Sequence, residues 1–561
     1  MTTSKYASLS HTELIRLLEA RDRQTKFGLH WEANEIERDN ALNSDFVALY
    51  FDASLSAGNA PYQNLIIEGD NFDALRHLKM CYSGQVKCIY IDPPYNTGNK
   101  DFVYNDRFID ANDLWRHSTW IEFMYQRLTL AKELLQQDGV IFISIDDNEQ
   151  ANLRLLCNKV FGESHFYTQV IIQSNIRGHT YRQIAKTHEY LLVYTKSESV
   201  EFNEIPKTEE NNDLNLVDMI GNFNIRELRN RNPKFGRFNR PNLYYPFYVN
   251  PNSVDSNGHL AVSVVKSSEF FVEVFPKNSS NEDSCWRWSI GTANESISAN
   301  TMKSDVVAKK VSTGGYNIYE KYRKETVKAK SIWAEPQFTT ERGTLELRQF
   351  GITEFDFPKP IALIHRAIHL ATGKNDIILD FFAGSGTTGH AVLKMNKEDG
   401  GNRKFILVSN TEATSENPDK NLCRDICAER IRRVINGYNG EEGLGGNFAY
   451  LRCRRVAPAE LLDIDHEEVW HSLSLMHLGS LTPYRPKHGF MWAGDEISAV
   501  AYVPRYSDEL LPALRAAVQT TGEATIYSWQ PEMLKTRVRS PRASHQGIPD
   551  TLARRFGLGR G

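Results

Sequence analysis

The segment VKCIYIDPPYNTG, residues 86–98, decides the fold. Its apolar run VKCIYI predicts a buried strand, which two prolines end at once. Before it lie another apolar run, LIIEGD at 65–70, and a helix-like segment, NFDALRHLKM at 71–80. A strand, a helix and a strand with polar residues at its end are typical of an open, mostly parallel α/β sheet.

The alternation of helix and strand continues along the chain, with one long interruption. After the turn, we predict helices at 114–139 and 146–162 and strands at 139–146 and 188–196. Beyond about residue 343 the pattern resumes with strand DIILDFF (376–382), helix HAVLKM (390–395), strand KFILVS (404–409) and helix NLCRDICAERIRRVI (421–435). The chain opens with a predicted amphipathic helix carrying Leu14, Leu17 and Leu18.

Bulk composition indicates a folded chain of several domains. It has 561 residues, which is more than a single hydrophobic core holds. Its composition, 41% apolar and 24% charged, is unlike that of disordered chains. A polar start and the absence of about 18 consecutive apolar residues predict a cytoplasmic protein without a membrane span. Seven scattered cysteines without a CxxC pair argue against a disulfide framework and a metal site. The net charge of −4 leaves nucleic-acid binding open, because phosphate contacts need only a local basic surface.

The DPPY turn carries residue types suited to methylating an amino nitrogen on a planar ring. The lone pair of such an amine is delocalised, so hydrogen-bond acceptors must draw its geometry toward tetrahedral. The Asp92 carboxylate and the Pro93 carbonyl can accept those bonds. Pro93 and Pro94 fix the turn, and Tyr95 can stack on a base turned out of a duplex. A plain Pro-Pro turn with a capping aspartate is the structural alternative.

A glycine-containing loop between a strand and a helix is the candidate cofactor site. Its sequence DFFAGSGTT, residues 380–388, lets the backbone pass close to a ligand near free helix N–H groups. No lysine follows the second glycine, which excludes a P-loop, but GSGTTG satisfies the dinucleotide pattern GxGxxG. A dinucleotide-binding protein would not need the DPPY turn, whereas a protein that binds a nucleoside methyl donor uses both loops. The second interpretation is therefore favoured. Glu412, after the next strand, is placed to bind a ribose diol, or is only a loop acid.

The two motifs in this order resemble the amino-methyltransferases of the β arrangement, in which the catalytic half precedes the cofactor half. More closely, residues 10–455 resemble the modification subunit of type III restriction-modification systems. The resemblance is carried, besides the two loops, by FGLHWE (27–32), LIIEGDNFDAL (65–75), VFGESHF (160–166), HEYLLVYTK (188–196), RPNLYYPFYV (240–249), WRWS (286–289), FPKPIALIHRAI (357–368) and GGNFAYLR (445–452).

The resemblance implies a fold and a set of site residues. The fold is a Rossmann-like, mostly parallel sheet, circularly permuted, with an inserted target-recognition domain and a small C-terminal α+β domain. The implied catalytic residues are Asp92, Pro93, Pro94 and Tyr95. The implied residues for S-adenosylmethionine are Asp380, Phe382, Ala383, Gly384, Ser385, Gly386, Thr387, Glu412 and Lys359, the last flanking the methionine part. No metal is implied.

Five regions follow from the pattern and the resemblance. They are an N-terminal helical region (1–60), the catalytic half (61–198), the target-recognition domain (199–343), the cofactor half (344–456) and a C-terminal domain with a basic, flexible tail (457–561). The insert mixes cations with aromatic residues, which suits phosphate contacts and groove recognition. Its candidate DNA-binding residues are Arg226, Arg229, Arg231, Lys234, Arg237 and Arg240. An exposed charged loop over an aromatic core is the alternative.

We therefore expect a methyltransferase that modifies N6 of adenine in duplex DNA, in a restriction-modification or related phage-defence system. An N4-cytosine enzyme uses the same acceptors, so only the resemblance favours adenine. An RNA methyltransferase and a DNA-recognition subunit without catalysis stay open, whereas Asp rather than Asn at position 92 argues against a glutamine methyltransferase. The resemblance further implies a homodimer. Besides double-stranded DNA, a helicase-nuclease restriction subunit and other defence-system proteins both stay open as partners.

Overall fold

The computed structural model describes residues 10–13, 15–16, 46–98, 103–104, 107–108, 116–178, 183–207, 212–278, 280–312, 314–414, 417–456, 465–548 and 552. Leu14, Leu17 and Leu18 of the predicted N-terminal helix lie outside them. Internal contacts divide the chain into a larger unit, Met1–Asn203 with Lys330–Gly561, and an inserted unit, Glu204–Ala329. No helix in the described part of the chain is long and apolar enough to cross a membrane.

The first part of the larger unit alternates strands and helices. In order these are β1 (Phe46–Ala57), β2 (Leu65–Glu68), α1 (Asn71–Tyr82), β3 (Val86–Ile91), β4 (Val103–Tyr104), β5 (Arg107–Phe108), α2 (Arg116–Leu134), β6 (Leu135–Ile145), α3 (Gln150–Phe161), β7 (Phe166–Ile172) and β8 (Glu189–Thr195). Helix α1 begins where the Asp70 carboxylate accepts hydrogen bonds from two backbone N–H groups, which stabilises its first turn.

The inserted unit is built mainly from short antiparallel strands. They are β9 (Ile205–Pro206), β10 (Leu216–Val217), β11 (Asn222–Glu227), β12 (Phe247–Val249), β13 (Val262–Ser263), β14 (Val272–Val274), helix α4 (Ile290–Glu295), β15 (Val306–Lys310), β16 (Tyr316–Tyr322) and β17 (Thr326–Val327). A core around Phe247 and Trp286 joins its sheets. The unit therefore has a hydrophobic core of its own.

The second part of the larger unit completes the main sheet and adds a smaller one. Its elements are β18 (Ile332–Trp333), α5 (Thr340–Gln349), α6 (Ile361–Ala371), β19 (Ile377–Asp380), α7 (Thr387–Asp399), β20 (Lys404–Ser409), α8 (Glu429–Asn436), β21 (Gly437–Tyr438), β22 (Glu441–Glu442), β23 (Phe448–Val456), α9 (His466–Leu478), β24 (Met491–Gly494), β25 (Ser498–Val503), α10 (Leu511–Gln519), β26 (Glu523–Ser528), α11 (Pro531–Arg537) and β27 (Ala543–Gly547). A π-helical turn, Cys423–Ala428, leads into α8.

The main sheet confirms the predicted α/β class and its permuted order. Ten strands lie in the order β1-β23-β2-β20-β19-β3-β6-β8-β7-β18. Strands β2, β20, β19, β3 and β6 are parallel, and β8 is antiparallel to both of its neighbours. Strand β3 precedes β19 in sequence by almost 300 residues but pairs with it directly, so the two halves share one sheet.

Several segments differ from the sequence prediction, beginning with residues 135–138, which were predicted as helix and belong to β6. Residues 46–57, in the predicted N-terminal helical region, form β1, because Val47, Leu49 and Phe51 alternate toward the core. Residues 330–343, assigned from sequence to the insert, belong to the larger unit, where β18 pairs with β7. Residues 543–547, in the predicted flexible tail, form a strand parallel to β26, whereas residues 553–561 lie outside the described part.

Candidate active site

The DPPY turn and the glycine loop meet at one edge of the main sheet. Asp380 ends β19, Asp92 follows β3, and the two strands run parallel side by side. The carboxyl ends of neighbouring parallel strands form the crevice in which α/β sheets bind their ligands. The structure thus brings together two motifs that stand far apart in sequence.

Asp92 presents a carboxylate oxygen that accepts no hydrogen bond within the described part of the chain, although it forms an ion pair with Lys359. Its side chain is 29% exposed, but its Oδ1 atom is buried and has no hydrogen-bond partner among the described residues. The ammonium of Lys359 stays 3.6 Å from that oxygen. Burial raises the pKa of Asp92, Lys359 opposes the rise, and Glu189 adds to it. A buried acceptor without a partner is costly unless a ligand supplies the donor.

The rest of the turn is held in place by buried side chains. Trp120 of α2 donates its indole N–H to the Pro94 carbonyl at 2.7 Å. Asn96, in a left-handed conformation at φ 57°, donates to Glu149 at 2.5 Å. His117 lies 2.5 Å from the same carboxylate. The turn is therefore preorganised before any substrate binds.

Tyr95 contributes its hydroxyl to a buried charged cluster. The Lys359 ammonium donates to the Tyr95 hydroxyl at 2.7 Å, and that hydroxyl donates to Glu189 at 3.1 Å. Burial and the nearby carboxylates raise the pKa of Tyr95 well above its usual value, so the phenol stays protonated. Stacking of its ring on a flipped base stays a prediction.

Lys359 lies beside the catalytic turn. Its ammonium contacts both Glu189 oxygens, at 2.8 and 2.9 Å, besides the neighbours described above. The structure thus places it on the catalytic side of the crevice, whereas the resemblance assigns it to the cofactor. Glu189 was not predicted; its signal in the sequence is a carboxylate opening the buried strand HEYLLVYTK.

Asp380 organises the glycine loop from within. One of its oxygens accepts the Phe382 N–H at 3.0 Å, and the other accepts the Thr388 hydroxyl. Burial raises the pKa of Asp380 to about 7, although those two hydrogen bonds oppose the rise. The carboxylate therefore ties the end of β19 to the start of α7, and it acts on the loop itself.

Both loop glycines are needed for the backbone shape. Gly384 and Gly386 have φ values of 50° and 77°, which side chains other than glycine rarely adopt. A Cβ on Gly386 would lie 3.2 Å from Cys427, and one on Gly384 would lie 3.1 Å from the Phe355 ring. Gly386 therefore allows the loop to pack against the π-helical turn. Gly384 faces the end of the Phe355 side chain, which can move more easily than backbone atoms.

Two predicted cofactor residues point into the protein. The buried guanidinium of Arg430 donates to Ser385 Oγ at 3.1 Å and to Thr387 Oγ1 at 2.7 Å. These hydroxyls hold the loop against α8. The half-buried Phe382 ring packs on Phe123, with 6.0 Å between centroids.

The crevice has the features that a nucleoside ligand requires. At its far side, Asn71 donates to the Phe381 carbonyl at 2.9 Å, which joins the start of α1 to the glycine loop. Close backbone approach at Gly384, the N-terminus of α7 and the Phe382 ring suit a nucleoside with a polar tail. Glu412 has φ 52° and pairs with Lys420 at 2.8 Å, its side chain 42% exposed, so its ribose role stays a prediction.

Four of the six predicted DNA-binding cations in the inserted unit are engaged in ion pairs. Arg229 and Arg231 both contact Glu227 at 2.8 Å, Arg237 contacts Asp283 at 2.9 Å, and Arg226 contacts Glu320. Lys234 and Arg240 are exposed, and neither forms an ion pair within the described part of the unit. These two are the better candidates for phosphate contacts.

Sequence comparison identifies the family. The DNA methylase family model matches residues 86–414. The type III restriction-modification enzyme EcoPI Mod subunit of Escherichia phage P1 is 32% identical over 444 residues, 72% of this chain and 66% of that protein. The type II methyltransferase M.KpnI of Klebsiella pneumoniae is 36% identical over 345 residues, 61% of this chain and 79% of that protein.

A second Mod subunit and two solved structures extend the comparison. The StyLTI Mod subunit of Salmonella typhimurium is 32% identical over 445 residues, 74% of this chain and 64% of its own, so the chain spans just under two thirds of both Mod subunits. The DNA modification methylase TTHA0409 of Thermus thermophilus, complexed with S-adenosyl-L-methionine, has a TM-score of 0.31 and 12% identity, covering 69% of this chain and 98% of its own. PvuII DNA methyltransferase (cytosine-N4-specific) has a TM-score of 0.31 and 12% identity, and the match covers 68% of this chain and 97% of its own. The fold is defined by the strand order of the main sheet and not by these superpositions. By its sequence, the chain belongs to the DNA methylase family of N6/N4 type.

Proposed function

We propose that this protein transfers a methyl group from S-adenosylmethionine to the N6 amine of adenine in a specific duplex sequence. One observation carries the proposal: the buried Asp92 Oδ1, without a hydrogen-bond partner among the described residues, lies at the strand end next to the glycine loop. An exocyclic amine is the donor that this oxygen lacks. Among the relatives, DNA adenine methyltransferase YhdJ of Escherichia coli, 31% identical over 96 residues, carries the target in its name.

The geometry suggests how the protein's own groups promote the transfer. The cofactor, when bound at the glycine loop, supplies an electrophilic methyl group. Asp92 accepts one N–H of the target amine, and the Pro93 carbonyl accepts the other. The neighbouring Pro94 carbonyl is already bound by Trp120. As the nitrogen gains its methyl group and a positive charge, it loses a proton. The raised pKa of Asp92 makes its carboxylate a suitable acceptor for that proton.

The inserted unit is proposed to recognise DNA, with Lys234 and Arg240 contacting phosphates. The names of the relatives support a place in a restriction-modification system, in which a restriction subunit is the partner. Assembly as a homodimer is proposed on the resemblance alone. An N4-cytosine target stays the second candidate, because both target amines suit the same acceptors.

The test is to express the wild-type chain in a host without DNA methylation and digest its DNA to nucleosides. Mass spectrometry then separates N6-methyladenine from N4-methylcytosine. We expect N6-methyladenine in one sequence context, absent with Asp92→Ala and present with Asp508→Ala, a matched change of an exposed aspartate. N4-methylcytosine alone would overturn the target, and unmodified DNA with methylated RNA would overturn the substrate class.

A further inference from the structure

Three ionisable groups from separate parts of the chain, two of them buried, meet at the catalytic turn. Asp92 follows β3, Glu189 opens β8, and Lys359 stands two residues before α6. The side chains of Glu189 and Lys359 are 10% and 9% exposed. Two carboxylates thus share one ammonium, which leaves one negative charge in a site largely closed to water.

The ammonium is divided unequally between the two carboxylates. Lys359 Nζ lies 2.8 and 2.9 Å from the Glu189 oxygens but 3.6 Å from Asp92 Oδ1. The Tyr95 hydroxyl closes the arrangement, accepting from Lys359 and donating to Glu189. Among the carboxylates, the shortest contacts of Lys359 and Tyr95 are therefore with Glu189, and Asp92 keeps only the longer ion pair with Lys359.

From this geometry we infer that Glu189 is a positioning residue for methyl transfer: it holds the Lys359 ammonium away from Asp92 and so keeps the Asp92 carboxylate free for the target amine. The inference rests on the proposed function. A buried carboxylate that formed a full ion pair with Lys359 would be a poorer hydrogen-bond acceptor for a neutral amine. The remaining negative charge also stabilises the positive charge that develops on the nitrogen.

The groups that face Asp92 come from several elements, and they fix the direction of its pH response. They are Tyr90 of β3, Tyr95, Glu189, Lys359 and Asp380 of β19. Glu189 raises the pKa of Asp92, and Lys359 lowers it. Asp92 must be ionised to take up the proton that the amine loses, so activity falls as pH drops through its pKa. Removing the Glu189 charge should move this acid limb to lower pH, and removing the Lys359 charge should move it to higher pH.

The experiment compares Glu189→Gln, Lys359→Met and the double variant in steady-state methylation of a duplex containing the target sequence. For Glu189→Gln we expect kcat to fall about 10- to 100-fold, with KM for DNA and cofactor affinity within about threefold. The acid limbs of the two single variants should shift in opposite directions. In the Lys359→Met background, Glu189→Gln should cause no further reduction of kcat, because the residue acts through Lys359.

Glu163→Gln, the same change at an exposed carboxylate of the larger unit, is the matched control and should leave kcat unchanged. Wild-type kcat in Glu189→Gln, shifts of the same sign in both single variants, or additive reductions in the double variant would each overturn the inference. If Glu189→Gln fails to fold, the acid limb of Lys359→Met decides, since an unshifted limb contradicts the arrangement. Absence of transfer by the wild type would instead overturn the proposed function and, with it, the inference.

Discussion

At the scale of single residues, the glycine loop separates two effects that look alike in sequence. Gly386 has φ 77° and packs against Cys427, so it is required by the fold. Gly384 has φ 50° and faces mainly the end of the Phe355 ring among the described residues. Sequence alone predicts both as cofactor contacts, because the neighbours of a loop backbone come from elements far along the chain.

The first prediction follows from this difference. Gly384→Ala should weaken S-adenosylmethionine binding about tenfold or more, because the added methyl group presses on the Phe355 ring and distorts the loop that borders the crevice. Gly400→Ala is the matched control: it has φ 66° at the other end of α7 and nothing within 4 Å of its Cβ among the described residues. It carries the same backbone strain of about 1 kcal/mol without touching the crevice. Calorimetric titration showing equal affinities for both variants would assign Gly384 to a simple turn.

Gly386→Val should lower the thermal midpoint more than either alanine variant, since backbone atoms of Cys427 block the side chain. Differential scanning calorimetry measures it. A folded variant with an unchanged midpoint would contradict the packing role.

At the scale of elements, the predictions succeeded where a local pattern was sufficient. Strands β3, β19 and β20 are mainly apolar runs, and helix α7 follows a glycine cap. Strand β7 was missed because it lies near the sheet edge, with Tyr167 58% exposed and Ile171 37% exposed. Glu189 was missed because only its neighbours in space distinguish it from a strand-end carboxylate. The contacts that define β7 and Glu189 join residues far apart in the chain, so a local stretch of sequence does not reveal them.

The loop of the inserted unit around residues 232–240 gives the second prediction. Lys234→Glu combined with Arg240→Glu should weaken DNA binding and lower the salt dependence of log K by about one ion for each phosphate that is no longer bound. Arg229 is a poorer choice for mutation, because its side chain is 18% exposed and paired with Glu227. Electrophoretic shifts over a salt series, on specific and random duplexes, provide the measurement.

The control pair lies in the C-terminal region, where Lys535→Glu with Arg539→Glu makes the same charge change. We expect its salt slope to equal that of the wild type. If this pair alters the slope and the Lys234 pair does not, DNA recognition lies in the C-terminal region.

At the scale of the whole molecule, the C-terminal region is part of the larger unit. Helix α9 packs on the main sheet, where His471 lies edge-on to Phe51 of β1 with 5.5 Å between ring centroids. Both ring nitrogens of His471 are buried, and neither has a hydrogen-bond partner among the described residues. Burial lowers the pKa of His471 to about 4. The region therefore joins the rest of the unit through a histidine that must stay neutral.

The third prediction concerns acid stability. The pKa of His471 is lower in the folded state than in the unfolded chain. The contribution of the neutral side chain to the free energy of unfolding is therefore complete above about pH 6.5. It declines as pH falls toward 4, by an amount on the order of 3 kcal/mol. His471→Leu removes that decline, so the difference in thermal midpoint between wild type and variant should shift in favour of the variant from pH 7 to pH 4.5. A difference that does not change with pH would show that the fold does not lower the pKa of His471.

The central claim is that Asp92 acts on the target amine and leaves cofactor binding to the glycine loop. The most direct test measures Asp92→Ala twice, by methyl transfer to a duplex substrate and by calorimetric titration with S-adenosylmethionine. The geometry predicts transfer below a tenth of the wild-type rate, with cofactor affinity within about threefold, because the oxygen proposed to accept the amine is gone and the loop is intact. Transfer above a tenth of the wild-type rate, or loss of cofactor binding in step with activity, would contradict it.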